Sequence, residues 1–301
     1  MPRAAQGGVI TIGVFDGVHV AHQRLLRRVV SLARRARTPS LALTFDPDPQ
    51  QVLDPAHAAA ALMPIEERVA RVRALDIEYV WIIPFTKAFA RMRAEPFVQR
   101  VLKVRLRAAT IVVGDAFVFG SNRRGDMELL RRLGPSLGIR VVSVPRVLRG
   151  GIPVSSSRIR RLIQEGRLAK AKALLGRPPT LYGRVVRGTG RGRWLGCRTA
   201  NLQLLSQVLP PRGVYAVAAT LDGSRRVRPG VMNLGVRPTF GPGPMVCEVH
   251  LLDFSGTLLN RRLSVSLLAF LRAERCFPSW EALRRQMARD IRQTRRLAAA
   301  A

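Results

Sequence analysis

Two histidines stand three residues apart near the start of the chain, His19 and His22 in "GVFDGVHVAHQ". The apolar run "GVITIGVF" overlaps the start of this stretch, and the apolar residues that follow recur at helical spacing. The pattern predicts a strand, a glycine-bearing turn and a helix whose first turn carries both imidazoles. Backbone amides without partners and the helix dipole favour an anion at such a position, so phosphate is the expected ligand.

The same two histidines could instead bind a metal ion together with Asp16. No third imidazole or thiolate follows nearby in the sequence, and a metal site needs further ligands. The glycine turn also suits a phosphate better, so phosphate is the favoured ligand of the two.

The segment "SSSRIR" is a second candidate for phosphate binding. Serine hydroxyls can cap a helix, and arginine supplies planar donors with a permanent charge. Taken alone, the segment is more typical of a capped basic helix, but its position after the last strand-like run of the first half favours the phosphate function. Its candidate residues are Ser155, Ser156, Ser157, Arg158 and Arg160.

The length and composition of the chain predict a two-domain cytoplasmic enzyme. Its 301 residues suit about two domains, and no apolar run approaches the roughly 20 residues of a membrane span. The stretch "MPRAAQGG" lacks the apolar segment of a signal peptide. Cys197, Cys247 and Cys276 are far apart and odd in number, so we expect neither structural disulfides nor a zinc site.

The formal net charge of +32 raises the question of nucleic-acid binding, because basic surfaces attract phosphate backbones. Only four of the 51 basic residues are lysines, and the arginines are spread along the whole chain among many alanines. The sequence has no basic tail and no basic motif interleaved with aromatic residues. We therefore interpret the charge as a compositional bias and treat nucleic-acid binding as the minor hypothesis.

Two patterns of elements divide the chain at "LLGRPPT". Before this break, strand-like runs alternate with helical stretches, which predicts an α/β domain at 1–176 with parallel strands joined by crossover helices. After it, short strand-like runs follow one another with turn signals, which predicts a small antiparallel barrel at 177–301. A last helix from about Pro278 is expected to pack against the barrel through one apolar face. That face carries Trp280, Leu283, Met287 and Ile291.

Ten motifs in one order carry a resemblance to a known family. They are "TIGVFDGVHVAHQRLL", "TFDPDP", "PFTKAFARM", "VVGDAFVFGSNRRGD", "VSSSRIRRLIQEG", "LLGRP", "GRWLGCRTANL", "NLGVRPTF", "CEVHLLDF" and "LRAERCF". Along essentially its whole length the chain resembles the bacterial bifunctional riboflavin kinase and FAD synthetase family. The resemblance implies an N-terminal FMN adenylyltransferase domain of Rossmann-like nucleotidyltransferase type and a C-terminal riboflavin kinase barrel. It also implies ATP, Mg²⁺ and small flavin substrates, while the oligomeric state stays open.

In the adenylyltransferase half, the resemblance implies that His19 and His22 contact the phosphates of ATP. The phosphate of FMN attacks the α-phosphorus, pyrophosphate leaves, and no covalent enzyme intermediate forms. Such chemistry needs charge neutralisation and in-line positioning more than a protein nucleophile. The other ATP- and phosphate-binding candidates of this half are Phe15, Asp16, Gly17 and the "SSSRIR" residues named above.

In the kinase half, "GCRTAN" stands at the place of the family's "PTAN" motif. The resemblance implies that Thr199 and Asn201 hold Mg²⁺ and the nucleotide phosphates, with Gly196 beside them. Glu248 corresponds to the general base that takes the proton from the riboflavin 5′-hydroxyl as it attacks the γ-phosphorus. Arg272 corresponds to an arginine of the flavin site. Without the resemblance, a glutamate within a strand more often lies on a solvated face.

Five positions depart from the family's pattern. They are Ala21, where the histidine motif has glycine, Asp48, Ala116, Leu259, and Arg198, which replaces the proline of "PTAN". Three hypotheses are therefore open: an enzyme with both activities, an enzyme with one active domain, and a flavin- or nucleic-acid-binding protein without turnover. The retained histidines, arginine, magnesium ligands and general base favour the first.

Overall fold

The computed structural model of the protein describes residues 3–188, 199–224, 226–236 and 246–299. Contacts between Cα atoms divide the chain into two compact units. The first consists of Met1–Ala60 and Ile65–Ser156, and the second of Ala61–Pro64 and Ser157–Ala301. The domain boundary expected between residues 176 and 177 stays a prediction.

A five-stranded parallel sheet forms the centre of the first unit. Its strands are β1 (Val9–Ile12), β2 (Ser40–Asp46), β3 (Tyr79–Pro84), β4 (Thr110–Gly114) and β5 (Arg140–Val144). Their order across the sheet is β3-β2-β1-β4-β5. The chain leaves β1 toward one edge and later leaves β4 toward the other, and sheets of this kind bind ligands at the carboxyl ends of the strands where the direction changes.

Helices and short turns of helix connect the strands of the sheet. The α-helices are α1 (Val20–Ala36), α2 (Pro49–Leu53), α3 (Ile65–Arg73), α4 (Lys87–Ala90), α5 (Ala94–Pro96) and α6 (Met127–Leu133). A π-helical segment covers Phe97–Arg105, and 3₁₀ turns cover Arg3–Ala5, Asp16–Val18, Pro55–His57, Ser121–Arg123 and Pro135–Leu137. A small hairpin, β6 (Leu148–Arg149) and β7 (Ile152–Pro153), follows the sheet.

The apolar spacing of the sequence explains why residues 9–36 fold as they do. All four residues of β1 are buried, as in a strand covered on both faces. Leu26 and Val29 of α1 are fully buried, whereas Arg27 and Arg28 on the other side of the helix are exposed. The strand, turn and helix expected from the sequence are confirmed.

A closed antiparallel barrel forms the centre of the second unit. Its strands are β8 (Thr180–Val186), β9 (Ala200–Leu204), β10 (Gly213–Leu221), β11 (Val227–Gly235), β12 (Val246–Leu251) and β13 (Arg262–Arg272). Their order around the barrel is β10-β11-β12-β9-β8-β13. The expected fold, an α/β domain followed by a small antiparallel barrel, is confirmed.

Side chains of the barrel strands alternate between its interior and its outer face. In β12, Cys247, Val249 and Leu251 pack in the barrel core, and burial raises the pKa of the Cys247 thiol to about 12. Glu248 and His250, between them, are only half-buried. The outer face of the barrel is therefore the face that carries the polar candidates.

The last three helices are α7 (Ser156–Gln164), α8 (Leu168–Leu175) and α9 (Trp280–Ala299). Leu168 of α8 contributes to the barrel core, and α9 packs on β10, β11 and β13. The helix after Pro278 is thus confirmed, but the expected packing of Trp280 is wrong, because its side chain is 53% exposed. The most buried residues of α9 are Asp290 and Thr294. Among the described residues, no helix is long and apolar enough to cross a membrane.

Candidate active sites

A tight turn between β1 and α1 presents the two histidines. Phe15 and Val18 have left-handed backbone conformations, with φ of 53° and 38°, and Gly17 has φ of 79°. Such conformations strain residues other than glycine and cluster at functional sites. Phe15 is 1% exposed, and its ring meets that of His22 edge to face, with 5.3 Å between the ring centroids. The buried phenyl ring anchors the turn beneath the start of α1.

The two imidazoles are stacked at the start of α1. Their ring centroids are 3.6 Å apart and their planes differ by 17°. His19 is the residue before the helix, and its Nδ1 accepts a hydrogen bond of 3.3 Å from the backbone nitrogen of His22. Because Nδ1 accepts, the proton of neutral His19 lies on Nε2, from which it can be donated to an anion. The sequence predicts two helical histidines, and the structure makes the first of them the helix cap.

The surroundings of His22 favour its neutral form. Burial, the neighbouring His19 and the guanidinium of Arg68 together lower the pKa of His22 well below 6.5. Arg68 of α3 is 4% exposed and donates a hydrogen bond of 3.2 Å to the backbone carbonyl oxygen of Phe45. This buried guanidinium supplies a fixed positive charge, so attraction of an anion does not require a charged imidazole.

The "SSSRIR" segment forms the start of α7. The Ser156 hydroxyl donates a hydrogen bond of 2.9 Å to the backbone carbonyl oxygen of Asp16. The first residue of α7 is thereby joined to the turn before the histidines, as a composite phosphate site requires. The remaining candidates are Ser155, directly before the helix, and Ser157, Arg158 and Arg160 within it. The two arginines are two residues apart and so lie on different faces of the helix.

A large aromatic cleft opens in the first unit, with a volume of about 1370 Å³. Six phenylalanine rings lie in its lining, and the centroids of neighbouring rings are 5.4 to 6.2 Å apart. These rings belong to Phe45, Phe85, Phe89, Phe97, Phe117 and Phe119. Lys87, Arg91 and Arg123 also border the cleft. The arrangement suits a flat aromatic ligand that carries an anionic group.

This cleft was not predicted from the sequence. Aromatic residues at or just after the carboxyl ends of β2, β3 and β4 were the available signal, in "TFDP", "PFTKAF" and "DAFVF". That edge is where α/β sheets bind their ligands. The sequence alone could not show whether these rings fill a core or border an opening.

Departures from the family's pattern in the first unit fit the local structure. Ala21 lies within α1 and has no positive φ, so its backbone does not require glycine. The Asp48 carboxylate accepts a hydrogen bond of 2.9 Å from the backbone nitrogen of Gln50 and caps α2. In return, Oε1 of Gln51 accepts a hydrogen bond of 3.2 Å from the backbone nitrogen of Asp48. Ala116 lies in an exposed turn after β4.

Three of the predicted kinase residues lie in one row across the barrel. Asn201 of β9 is directly opposite Glu248 of β12, and Glu248 is directly opposite Asn233 of β11. Through Val214 of β10 the row continues to Arg272 of β13. Residues directly opposite each other on antiparallel strands have Cβ atoms about 5 Å apart and share a face. The register therefore places Asn201 and Glu248 side by side.

The magnesium candidates stand at one end of this row. Asn201 approaches Gly188 so closely that any side chain at position 188 would collide with the Asn201 amide. Thr199 directly precedes β9 and is half-buried. Gly196 and Arg198 lie outside the described residues. Within the described part of the chain, no group of three or more His, Cys, Asp or Glu side chains could hold a metal ion.

Arg272 is held in place by the C-terminal helix. Its Nη2 and Nε donate hydrogen bonds of 2.9 and 3.1 Å to Oδ2 of Asp290. The side chains of Arg272 and Asp290 are 19% and 4% exposed, and Gln286 donates a further bond of 2.7 Å to the same carboxylate. The guanidinium also lies over the ring of Phe277, 5.5 Å from its centroid. A planar cation is thus fixed in one orientation.

Leu259, the last of the five departures from the family's pattern, lies before β13, and its side chain is 40% exposed.

Comparison with known proteins gives a match in each half of the chain. The family model of FAD synthetase matches residues 1–158, and that of riboflavin kinase matches residues 175–298. The chain belongs to the bifunctional riboflavin kinase and FMN adenylyltransferase family. The stacked histidines and Ser156 lie within the FAD synthetase match, and the barrel row from Asn201 to Arg272 lies within the riboflavin kinase match. The family suggested by the motifs is confirmed, while the individual residue roles stay predictions.

Individual members of the family are similar to the chain over nearly its whole length. The bifunctional riboflavin kinase/FMN adenylyltransferase of Escherichia coli strain K12 is 37% identical over 95% of this chain and 91% of its own. The enzyme of that name from Pseudomonas fluorescens is 39% identical over 98% of this chain and 94% of its own. The crystal structure of a macrolide-efflux protein from Streptococcus pneumoniae has a TM-score of 0.85 and 31% identity, covering 96% of this chain and 94% of that one.

Proposed function

We propose that the chain converts riboflavin to FMN at the barrel and FMN to FAD in the α/β unit, with ATP as co-substrate of both reactions. The observation that carries the proposal is the barrel register, which sets Asn201 beside Glu248 and ends the same row at Arg272. A carboxylate can accept the proton of an attacking alcohol, an amide oxygen can bind a metal ion, and a fixed guanidinium can position the flavin.

At the barrel, Glu248 accepts the proton of the riboflavin 5′-hydroxyl as the hydroxyl oxygen attacks the γ-phosphorus of ATP. The bond between the γ-phosphorus and its bridging oxygen breaks, and ADP leaves with that oxygen. Arg272, held by Asp290, offers its remaining planar surface and donors to the flavin. Positioning and charge neutralisation account for most of the catalysis of such a step.

The residues at the start of β9 fit Mg²⁺. Thr199 and Asn201 provide neutral oxygen ligands, which suit a hard ion that keeps several waters and takes its other ligands from phosphates. Because these two residues supply only two ligands and no charge, coordination positions remain for the phosphate oxygens. When bound there, Mg²⁺ would neutralise charge on the phosphate oxygens of the nucleotide.

In the α/β unit, Nε2 of His19 and the imidazole of His22 donate to the phosphates of ATP, and an imidazole can do so through its N–H group without carrying a charge. Phe15 and Asp16 are almost fully buried, so together with Gly17 they would act through their backbone groups. The FMN phosphate attacks the α-phosphorus and pyrophosphate leaves. The aromatic cleft would hold the isoalloxazine ring. Contacts of Ser155, Ser157, Arg158 and Arg160 with the departing pyrophosphate stay predictions.

Product analysis tests the proposal. Purified protein is incubated with riboflavin and Mg-ATP, and riboflavin, FMN and FAD are separated by chromatography. We expect FAD, formed by way of FMN. FMN alone would restrict the chain to the kinase reaction. The absence of both products, together with no FAD from supplied FMN, would support a flavin- or nucleic-acid-binding protein without turnover.

A further inference from the structure

Asn233 is a polar residue in an apolar stretch of β11, "VMNLG". Its neighbours Met232 and Leu234 are buried in the barrel core, so Asn233 projects to the outer face. There it stands directly opposite Glu248 on β12. The polar residue is therefore beside the proposed general base, on the side away from Asn201.

The Asn233 side chain is oriented by a carboxylate that follows β13. Its Nδ2 donates a hydrogen bond of 3.1 Å to Oε1 of Glu274, and the backbone nitrogen of Val236 donates one of 3.1 Å to Oε2. Any side chain at Gly235 would collide with this carboxylate, so glycine makes the close approach possible. A carboxylate accepts hydrogen bonds but does not donate them. Glu274 therefore attracts the amide nitrogen and turns the amide oxygen away.

The oxygen that is turned away, Oδ1 of Asn233, is buried and has no hydrogen-bond partner among the described residues. A buried acceptor without a donor costs free energy, which indicates that a ligand supplies the donor. The carboxylate of Glu248 on the next strand is also an acceptor, so the two groups cannot bond to each other. A ligand hydroxyl group would supply the donor that Oδ1 of Asn233 lacks.

We propose that Oδ1 of Asn233 accepts a hydrogen bond from a hydroxyl of the riboflavin ribityl chain, and that Glu274 is a positioning residue that fixes the amide for this contact. The inference rests on the kinase function proposed above. The contact holds the polyol chain so that its terminal hydroxyl lies at Glu248. It also selects for a flavin with a hydroxylated side chain, because an analogue without those hydroxyls leaves the amide oxygen unpaired.

Steady-state kinetics of FMN formation test the inference in the full-length protein. Asn233→Ala removes the acceptor and should raise the KM for riboflavin about three- to tenfold, as expected for one neutral hydrogen bond. The KM for ATP should stay within about twofold of that of the parent, since the amide is proposed to touch only the flavin. Gln203→Ala, at an exposed position on β9, two strands away from β11, is the matched control and should change neither KM.

Glu274→Gln provides the second variant. Asn233 and Val236 donate to different oxygens of Glu274, and glutamine replaces one of these oxygens by an NH2 group that donates. An NH2 group facing Asn233 would attract the amide oxygen, so the Asn233 amide loses its fixed orientation. The KM for riboflavin should rise as in Asn233→Ala, and the double variant should be no worse than Asn233→Ala, because both changes remove one contact. The 5′-hydroxyl and Glu248 are unchanged, so the pH dependence of kcat/KM should be that of the parent.

Three results would overturn the inference while the kinase function stands. They are an Asn233→Ala riboflavin KM within about twofold of the parent, an equal rise in the KM for ATP, and additive effects in the double variant. FAD formation from supplied FMN should be normal in every variant, because that reaction is proposed for the α/β unit. If the parent protein forms no FMN, the proposed kinase function is wrong, and the inference that rests on it is wrong as well.

Discussion

The Ser156 hydroxyl donates a hydrogen bond of 2.9 Å to the backbone carbonyl oxygen of Asp16, although the two residues are 140 positions apart in the chain. Asp16 belongs to the strained turn that presents the stacked histidines, and Ser156 is the first residue of α7. The bond therefore links two segments that the sequence predicts as separate phosphate-binding motifs. We predict that the two segments bind phosphate together and that this cooperation depends on the contact.

Ser156→Ala tests that cooperation. Loss of the hydroxyl removes the bond to Asp16, and we expect FAD formation from supplied FMN to fall about three- to tenfold, the usual effect of one hydrogen bond. FMN formation from riboflavin should not change. Ser136→Ala is a suitable control because that hydroxyl also donates to a backbone carbonyl oxygen, that of Leu133, away from the site. A normal FAD rate in Ser156→Ala would contradict the role of the bond.

The lowered pKa of His22 predicts a pH dependence of stability. Burial, His19 and Arg68 hold the folded-state pKa below the ordinary 6.5, so the unfolded chain binds this proton first as the pH falls. The contribution of His22 is complete above pH 6.5 and is lost as the pH falls from there toward the folded-state pKa.

Chemical denaturation of the parent and of His22→Gln at several pH values measures this effect. Below about pH 6.5, the free energy of unfolding of the parent should fall more steeply than that of the variant, by up to about 1.4 kcal/mol per pH unit. Between pH 7.5 and 8.5 the two slopes should agree. Equal slopes at acidic pH would show that His22 titrates normally in the folded state.

Local sequence patterns predicted the elements around the histidines, because strand, turn and helix signals lie within residues 9–36. The aromatic cleft escaped prediction because its rings come from segments as far apart as Phe45 and Phe119, and only the fold brings them together. Similarly, motif resemblance predicted Glu248, but its pairing with Asn233 depends on strand register, which the sequence does not show. The aromatic cleft and the pairing of Glu248 with Asn233 were not predicted because both depend on contacts between residues far apart in the chain.

The C-terminal helix shows a different limit of prediction from the sequence. Its apolar spacing predicted a packing face that includes Trp280, whereas the two buried residues of the described helix are Thr294 and the charged Asp290. Apolar periodicity predicts that a carboxylate at this position faces solvent, and it does not reveal the partner Arg272 on β13. Only the folded barrel supplies that partner.

Asp290→Asn tests the importance of this ion pair. Removal of the charge leaves the Arg272 guanidinium mostly buried without its carboxylate, so the free energy of unfolding should fall by about 3 kcal/mol. The KM for riboflavin should rise because the arginine is no longer fixed. Asp253→Asn is the matched control: it breaks a pair with Arg295 of the same length, 2.9 Å, whose side chains are 70% and 57% exposed. It should cost less than about 1 kcal/mol.

Retained stability and an unchanged KM in Asp290→Asn would show that Arg272 needs no positioning by α9. Equal losses in Asp290→Asn and Asp253→Asn would point instead to a general weakening of the helix. Thermal or chemical unfolding and initial rates of FMN formation separate these outcomes.

Product formation by Glu248→Gln, starting either from riboflavin or from FMN, tests most directly the claim that one chain carries two separate active sites. The amide keeps the shape of the side chain but cannot accept the proton, so FMN formation from riboflavin should fall by about 10² to 10⁴. FAD formation from supplied FMN should equal that of the parent. Equal loss of both activities, or a kinase rate within about threefold of the parent, a change of less than about 1 kcal/mol in the barrier, would contradict the claim.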